Sequence, residues 1–372
     1  MCQGRGRAYP SIKSMAVLPT QSSPSVREPV FLARQPIFDR GGRVRGYEML
    51  FRDGIESTLL GKTDRLAGFD WPVLTRGRDA WINCTRDVLL AGWYEALPAE
   101  HTVVELLEDV EPDTAVLAAC RRLKDAGYRL ALDDFAWRPA MAALVELADI
   151  VKVDVLACED AEVVGLGKRL RREGRMLLAE KVETHALWKR ARDLGYDLFQ
   201  GFFYRSPEGA RPLTEDEQAW LGWLRDVQED APEVRRWGTL VAVARLAGGK
   251  PRELLRTGLV RARMSENLGE GDGRSAARFV TGLLSVLDAA LDRPLPDVVP
   301  LLGLASDLRE ALLAQGGPLG PPLAAALAYE NTDWPAVNAA CQQAGLPEAK
   351  AISAYRQALA WAETVLQDPE AA

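Results

Sequence analysis

Histidine is nearly absent from this sequence: the chain has only His101 and His185 among 372 residues. Because common zinc sites and many acid–base mechanisms need imidazoles, this scarcity disfavours both. The five cysteines are scattered without a CxxC pair, which disfavours cysteine-ligated zinc. Such a set fits reduced thiols in a cytoplasmic protein better than a disulfide framework. Any hydrolytic chemistry must therefore depend on carboxylates.

Long apolar runs are also missing from the start of the chain. The first 27 residues are rich in Ser, Pro, Gly and Arg and contain neither a signal-peptide core nor a membrane span. We expect residues 1–27 to be a flexible tail, with Met15 as an alternative start of translation. Positive charge is not in excess, since 46 Lys and Arg face 53 Asp and Glu, for a net charge of −7. That balance argues against DNA and anionic membranes as partners.

The first of two predicted domains, residues 28–208, alternates short apolar runs with amphipathic stretches, as repeated βα units do. The predicted strands read FLARQPIF, VRGYEMLF, AWINC, TVVEL, RLALDD, DIVKVD, MLLAE and DLFQGFFY. Eight strands with intervening helices predict a modified (β/α)8, TIM-like barrel, shorter than the roughly 250 residues of a typical one. Only DRGG separates the first two strands, so we expect them to form an antiparallel hairpin.

The second predicted domain, residues 209–372, has helical periodicity and few strand-like runs. A Thr214-x-x-Glu217 capping box marks its first helix. Gly and Pro clusters divide the remainder into short helices, so the chain reads as α/β followed by all-α. One predicted helical face carries Phe279, Leu283, Leu284, Leu287 and Leu291.

Polar side chains fall near the ends of the predicted strands. They are Glu48, Asn83, Glu105, Asp133, Asp134, Lys152, Asp154, Glu180 and Gln200. In a barrel these ends converge on one mouth, so we expect the side chains to lie close together. Each residue alone is more simply a helix cap or turn former, but consecutive strands that end in the same chemistry weaken that reading. Carboxylates and an amide suit Mg²⁺ or Mn²⁺, and a pair of such ions activates water for attack on phosphate.

These residues lie in short motifs whose order is informative. The motifs are Gln35-Pro36-Ile37, Glu48-Met49-Leu50-Phe51-Arg52, Asn83, Glu105 to Glu108, Leu132-Asp133-Asp134-Phe135, Lys152-Val153-Asp154, Glu180 to Thr184 and Gln200-Gly201. From about residue 29 to 207 the chain thereby resembles EAL domains, the cyclic di-GMP phosphodiesterase family. The stretches ARQPIFDR, FVTGLLSVLDAAL, LREALL and YENTDW resemble the subgroup in which a shortened EAL domain precedes a helical HDOD domain.

The resemblance implies a metal-dependent hydrolase that opens cyclic di-GMP to linear pGpG. Its implied ligands for one or two Mg²⁺ or Mn²⁺ ions are Glu48, Asn83, Glu105, Asp133 and Asp134, the last two serving the second ion. The resemblance also implies a homodimer through the edge of the barrel mouth.

Other residues receive roles from the same resemblance. Lys152 would position or deprotonate the attacking water, and Glu180 and Gln200 would complete the metal and water network. Arg52 would contact a substrate phosphate, and Gln35 would also bind substrate.

Two departures from the family pattern bear on turnover. Active members carry a G-x-G loop after the Asp-Asp-Phe motif, whereas this chain reads AWRP at 136–139. Trp and Pro stiffen a loop that glycines would leave mobile. Lys181 stands where the family usually has glycine, and Met49 replaces the alanine of E-A-L. We therefore expect binding or weak hydrolysis rather than efficient catalysis.

Three further features have alternative interpretations. Glu108 either braces the altered loop or is the first-turn acid of the next helix. Asp154 and Glu183 are expected to hydrogen-bond neighbouring backbone and order the ligands. The basic run at 168–172 is expected to be a solvated helix face rather than a nucleic-acid site.

The HDOD resemblance implies a relative of HD phosphohydrolases without their catalytic residues. No histidine follows residue 207, which strongly disfavours metal hydrolysis by this half, and a protein partner is expected. Three functions stay open: an active phosphodiesterase, a receptor for the dinucleotide, and a catalytically inactive scaffold that acts through protein contacts.

Overall fold

The computed structural model describes residues 32–52, 70–156, 160–172, 174–207, 211–269 and 271–366. The predicted tail at 1–27 lies outside these ranges. Within them, no helix is long and apolar enough to cross a membrane.

Eight strands close into a barrel in sequence order. They are β1 (Leu32–Asp39), β2 (Val44–Phe51), β3 (Asp79–Cys84), β4 (Thr102–Leu106), β5 (Arg129–Leu132), β6 (Ile150–Asp154), β7 (Met176–Glu180) and β8 (Leu198–Gln200). β1 is antiparallel to both β2 and β8, and all other pairs are parallel. The predicted barrel and its opening hairpin are confirmed. Strand β8 is shorter than predicted: it ends at Gln200, and residues 203–205 form a 3-10 turn.

Helices connect the parallel strands on the outside of the barrel. They are α1 (Trp71–Thr75), α2 (Arg86–Ala91), α3 (Thr114–Asp125), α4 (Ala142–Leu147), α5 (Asp160–Arg172) and α6 (His185–Asp193). Side-chain caps fix where several of them start. The Asp113 carboxylate, for example, accepts a hydrogen bond from Val116 N at 2.8 Å and begins α3.

Two layers of side chains fill the barrel. The lower layer is apolar and consists of Ile37, Trp81, Val103, Ala131, Ile150, Leu178 and Leu198. Because alternate residues of a strand face the same side, the residue two positions further towards the mouth also points inward. Those residues are Gln35, Asn83, Glu105, Asp133, Lys152, Glu180 and Gln200, and Glu48 of β2 joins them through its contacts with Asn83, Lys152 and Gln200. Strand alternation thus places a polar layer directly above the apolar one.

The second half of the described chain is helical. Its helices are α7 (Glu215–Val227), α8 (Pro232–Leu246), α9 (Arg252–Asn267), α10 (Ser275–Leu284), α11 (Leu287–Leu291), α12 (Leu295–Val298), α13 (Ser306–Ala314), α14 (Gly320–Glu330), α15 (Trp334–Gln343) and α16 (Glu348–Val365). The predicted capping box of Thr214 and Glu217 is present at the start of α7. The apolar face predicted over 279–291 is buried but divided between α10 and α11.

The helical half packs against the outer face of the β1–β2 hairpin, which has no crossover helix of its own. The Tyr329 hydroxyl on α14 donates to the Leu32 carbonyl at 3.2 Å. Buried side chains of both halves, including Tyr47 on β2 and Tyr355 on α16, belong to one continuous apolar core. The helical half therefore supplies the cover that βα helices supply elsewhere.

A buried ionic cluster also joins the halves. Glu363 on α16 pairs with Arg34 of β1 at 3.3 Å, with Arg76 at 3.0 Å and with Arg256 of α9 at 2.9 Å. Arg34 also lies 4.1 Å from the centre of the Tyr47 ring. Partly buried arginine–carboxylate groups of this kind are sensitive to loss of one partner.

Candidate functional site

The polar layer converges on the ammonium group of Lys152. Its Nζ lies 2.6 Å from Asp133 Oδ1, 2.9 Å from Glu180 Oε1, 3.1 Å from Glu105 Oε1 and 3.6 Å from Glu48 Oε2. The Lys152 side chain is only 1% exposed. Five predicted site residues are thus brought together, four on strands and Asp133 directly after β5, with the lysine at their centre.

Amide groups hold Glu48 on its other side. Asn83 Nδ2 donates to Glu48 Oε1 at 2.7 Å, and Gln200 Nε2 donates to Glu48 Oε2. Gln200 also reaches Gln35 Oε1 at 2.8 Å, which links β8 to β1 across the antiparallel seam. The barrel register therefore fixes the orientation of Glu48 before any ligand arrives.

One ammonium cannot neutralise four buried carboxylates, and the pKa values show the imbalance. Burial tends to raise the pKa of Glu48, but the charge of Lys152 and hydrogen bonds from Gln200 and Asn83 bring it below its usual value. Burial and neighbouring carboxylates raise the pKa of Glu105 well above its usual range. Burial is the main cause that raises the pKa of Asp133, and nearby carboxylates add to it. The same two causes raise the pKa of Glu180 to about 7. Although burial opposes it, the surrounding carboxylates raise the pKa of Lys152, so the lysine stays cationic.

The donor chemistry of this layer fits a hard divalent cation. Asn83 Oδ1, Glu105 Oε2, Glu180 Oε2 and Gln200 Oε1 are buried without a hydrogen-bond partner. Unpaired buried oxygens are costly, and Mg²⁺ or Mn²⁺ would satisfy them. In the part of the chain that the structure describes, however, no three acidic, histidine or cysteine side chains already surround a common metal position. Lys152 occupies the centre instead.

A second lysine lies at the outer rim of the mouth. Lys181 follows the last residue of β7 and forms ion pairs with Asp154 and, at 3.5 Å, with Asp134. Asp154 Oδ1 also accepts a hydrogen bond from Leu156 N at 2.8 Å, the backbone contact expected of it. The predicted ligand Asp134 is therefore paired with an ammonium group and lies apart from the Lys152 cluster.

The altered loop at 136–139 is anchored at two points. The Arg169 guanidinium lies 3.2 Å from the centre of the Trp137 ring, and Phe135 packs edge-on against the same ring. Arg138 Nη1 bonds Glu111 Oε1 at 2.8 Å. These contacts give the expected stiffness a structural basis. Arg169 belongs to the basic run at 168–172, whose Lys168, Arg169 and Arg171 are exposed as predicted for a helix face.

Two predicted positions lie further from the centre. Arg52 pairs with Glu348 at the start of α16, so its substrate contact stays a prediction. Glu108 is exposed and lines a small cleft with Asp134 and Ala136. It precedes Asp113, the cap of α3, so the interpretation of Glu108 as a first-turn helix acid is wrong.

Two structural features in and below the mouth were not predicted from the sequence. The sequence showed Lys181 in place of a family glycine, but not its ion pairs with Asp134 and Asp154, which follow β5 and end β6. Trp81 fills the barrel below the polar layer, where its indole lies so near Gly46 that a Cβ there would come within 2.5 Å of the indole nitrogen. Trp81 and Asn83 are two residues apart on β3, and this spacing could have predicted that both side chains point into the barrel.

Comparison with known proteins gives a family match for part of the barrel half. Residues 86–207, about a third of the chain, match the EAL domain. Glu48 and Gln35 lie before the matched segment.

Two curated relatives match along most of the chain. Cyclic di-GMP phosphodiesterase CdgJ of Vibrio cholerae is 28% identical over 408 aligned residues, which cover 91% of this chain and 92% of CdgJ. Protein YuxH of Bacillus subtilis, described as uncharacterized, is 25% identical and is covered to 99%.

Among solved structures, the Klebsiella pneumoniae BlrP1 complex with calcium and cyclic di-GMP aligns with a TM-score of 0.40 at 23% identity. That alignment covers 47% of this chain and 55% of the BlrP1 chain. By sequence, residues 86–207 match the EAL domain, and the chain as a whole is similar to a cyclic di-GMP phosphodiesterase.

Proposed function

We propose that this protein is a cytoplasmic cyclic di-GMP signalling protein whose barrel mouth binds the dinucleotide together with Mg²⁺ or Mn²⁺. The observation that carries the proposal is the convergence of Glu48, Glu105, Asp133 and Glu180 on Lys152. The EAL match and the similarity to a cyclic di-GMP phosphodiesterase support the choice of ligand. Cys84, Cys120 and Cys341 are buried and form no disulfide, which suits a reducing compartment.

Divalent ions would reverse the electrostatics of the mouth. The carboxylates of the mouth outnumber its two lysines, Lys152 and Lys181. An anionic dinucleotide without a metal ion is therefore repelled. In the proposed site Glu48, Asn83, Glu105 and Asp133 hold the ion, and Glu180 and Gln200 support it with oxygens that lack partners. When bound, such an ion neutralises phosphate charge and acidifies water.

We further propose that hydrolysis to linear pGpG is slow. Lys152 is held by four strands and stays cationic, so its ammonium is suited to orient an attacking water. The loop at 136–139, anchored through Trp137 and Arg138, limits the motion that closes such a mouth. Binding is therefore the main activity, and turnover is secondary.

Calorimetry with cyclic di-GMP and Ca²⁺ tests binding, and product analysis with Mn²⁺ tests turnover. We expect Glu48→Ala and Lys152→Ala to abolish hydrolysis and weaken binding. Glu229→Ala, an exposed change in the helical half, is the matched control and should behave like the wild type. Rapid hydrolysis by the wild type would contradict the receptor assignment, and absence of any binding would remove both nucleotide functions.

A second candidate function is a scaffold that acts only through protein contacts of an HDOD-like helical half. It is favoured by exposed apolar side chains on α7 and α8, namely Trp223, Val234, Trp237 and Val241. These side chains suit a protein partner or a second copy of the chain. Light scattering on the wild type and on Trp237→Glu tests whether this face of α7 and α8 forms a homodimer. A wild-type chain that is monomeric at all concentrations rejects it.

A further inference from the structure

Lys181 and Lys152 neutralise two different sets of carboxylates. Lys152 is buried in the polar layer of the barrel, whereas the Lys181 side chain is 51% exposed at the rim. The Lys181 ammonium contacts Asp154, at the end of β6, and Asp134, in the loop after β5. The mouth therefore has an inner and an outer cationic position, each held by a side chain of the protein itself.

Hydrogen bonds hold the backbone next to Lys181. Val182 N donates to the Gln200 carbonyl at 3.0 Å, and Phe203 N donates to the Val182 carbonyl at 2.9 Å. Lys181 has a φ of 55°, a left-handed conformation that suits glycine better than lysine. The turn thus holds the lysine backbone in an unfavourable conformation, and the ammonium lies against Asp154 and 3.5 Å from Asp134.

An ammonium group at this place competes with a metal ion. Asp134 is the residue that the family resemblance assigns to a second divalent ion, and here it is 41% exposed and paired with Lys181. At the rim, Asp134 and Asp154 alone would have to hold both the ammonium and an ion, whose charges repel each other within a few ångströms. The inner layer differs, because four carboxylates surround Lys152 and several of its buried oxygens have no partner. The residues at the outer position therefore do not fit a second ion while Lys181 is in place.

We propose that Lys181 is a built-in cation that takes the place of one divalent ion, so that the mouth binds cyclic di-GMP with a single ion. This inference rests on the proposed function. A tethered ammonium neutralises phosphate charge, but it does not bind and acidify a water as a divalent ion does. Lys181 therefore favours binding of the dinucleotide over its hydrolysis, independently of the stiff loop.

The number of Mn²⁺ ions bound per chain tests the inference. Free Mn²⁺ is measured by electron paramagnetic resonance at saturating cyclic di-GMP. We expect one ion in the wild type and in Lys181→Arg, which keeps the charge, and two in Lys181→Met and Lys181→Gly, which remove it. The glycine variant also suits the left-handed turn. Lys168→Met removes an exposed lysine from α5 and should leave the count at one.

Two results would overturn the inference and leave the proposed function intact. One is a second Mn²⁺ already bound by the wild type, and the other is an unchanged count in both Lys181→Met and Lys181→Gly. Calorimetric titration of the wild type with cyclic di-GMP in the presence of Ca²⁺ distinguishes these two results from failure of the proposed function. If that titration shows no binding of cyclic di-GMP, the proposed function and the inference both fall.

Discussion

Tyr47 and Glu48 are consecutive on β2 and face opposite sides of the barrel wall. The Tyr47 hydroxyl donates to Glu253 Oε2 of the helical half at 3.3 Å, whereas Glu48 Oε1 accepts from Asn83 Nδ2 at 2.7 Å inside the mouth. Because side chains alternate along a strand, one strand carries both the interface and the site. A movement of the helical half that displaces β2 would therefore also displace Glu48.

Acid should weaken the interface through Glu363. Burial raises its pKa, but the charges of Arg256 and Arg34 and the hydrogen bond from Arg256 lower it more, so the folded-state pKa is below the usual value. Its stabilisation is therefore complete above the unfolded-state pKa of about 4.3 and is lost as pH falls through the folded-state pKa. We expect Glu363→Gln to lose about 2 kcal/mol at neutral pH and progressively less below about pH 4.

Urea unfolding of both proteins across this pH range measures the difference. Asp226→Asn is the control, since the 3.4 Å contact of Asp226 with Arg225 is exposed on both sides and should contribute less than about 0.5 kcal/mol. Equal stability of Glu363→Gln and wild type at neutral pH would contradict the prediction.

The barrel half should not be stable as a fragment. Residues 28–208 alone would expose the outer face of β1 and β2, including the buried Tyr47 and Leu32. We expect the full chain to unfold in one transition, and the fragment to bind a hydrophobic dye and associate. Calorimetry and light scattering measure both properties. A monomeric fragment with a sharp transition would show that the halves are independent domains.

Removal of the Lys152 charge should make stability depend on metal. Lys152→Met leaves the carboxylates of the inner layer without their ammonium partner, at a cost of about 3 kcal/mol. Mn²⁺ should restore part of this loss, because a divalent ion replaces the missing charge. Thermal unfolding with Mn²⁺ and with chelator measures the effect, with Lys168→Met as control. Absence of any Mn²⁺ shift in Lys152→Met would argue against metal at this layer.

The loop at 136–139 should become mobile when its anchors are removed. Replacement of Trp137 and Arg138 by glycine removes the contacts to Arg169 and Glu111. We expect amide exchange of this loop to rise about fivefold, which corresponds to about 1 kcal/mol, and hydrolysis of cyclic di-GMP to increase. Hydrogen-exchange mass spectrometry tests the first effect. Arg169→Met, which removes only the cation–π contact, should give a smaller rise, and unchanged exchange in the double variant would contradict the prediction.

Local patterns predicted most of the barrel. The runs TVVEL and MLLAE coincide with β4 and β7, because alternation and apolar content are properties of the strand itself. The end of β8 was not predictable in this way. Gly201 has a φ of 147°, and the Val182 backbone occupies the space of a Cβ there, so a neighbouring loop ends the strand. The break between α10 and α11 was likewise not predictable, because the helical spacing of apolar residues continues across it.

The sequence by itself determined the chemistry of the mouth: carboxylate and amide oxygens and a lysine, near the ends of strands in a known order. Tertiary structure decided which charges face each other. It placed Lys152 among four carboxylates, Lys181 between Asp134 and Asp154, and Glu363 among three arginines. These pairings depend on distances across the barrel and between its two halves, and electrostatic energy follows those distances rather than separation along the chain.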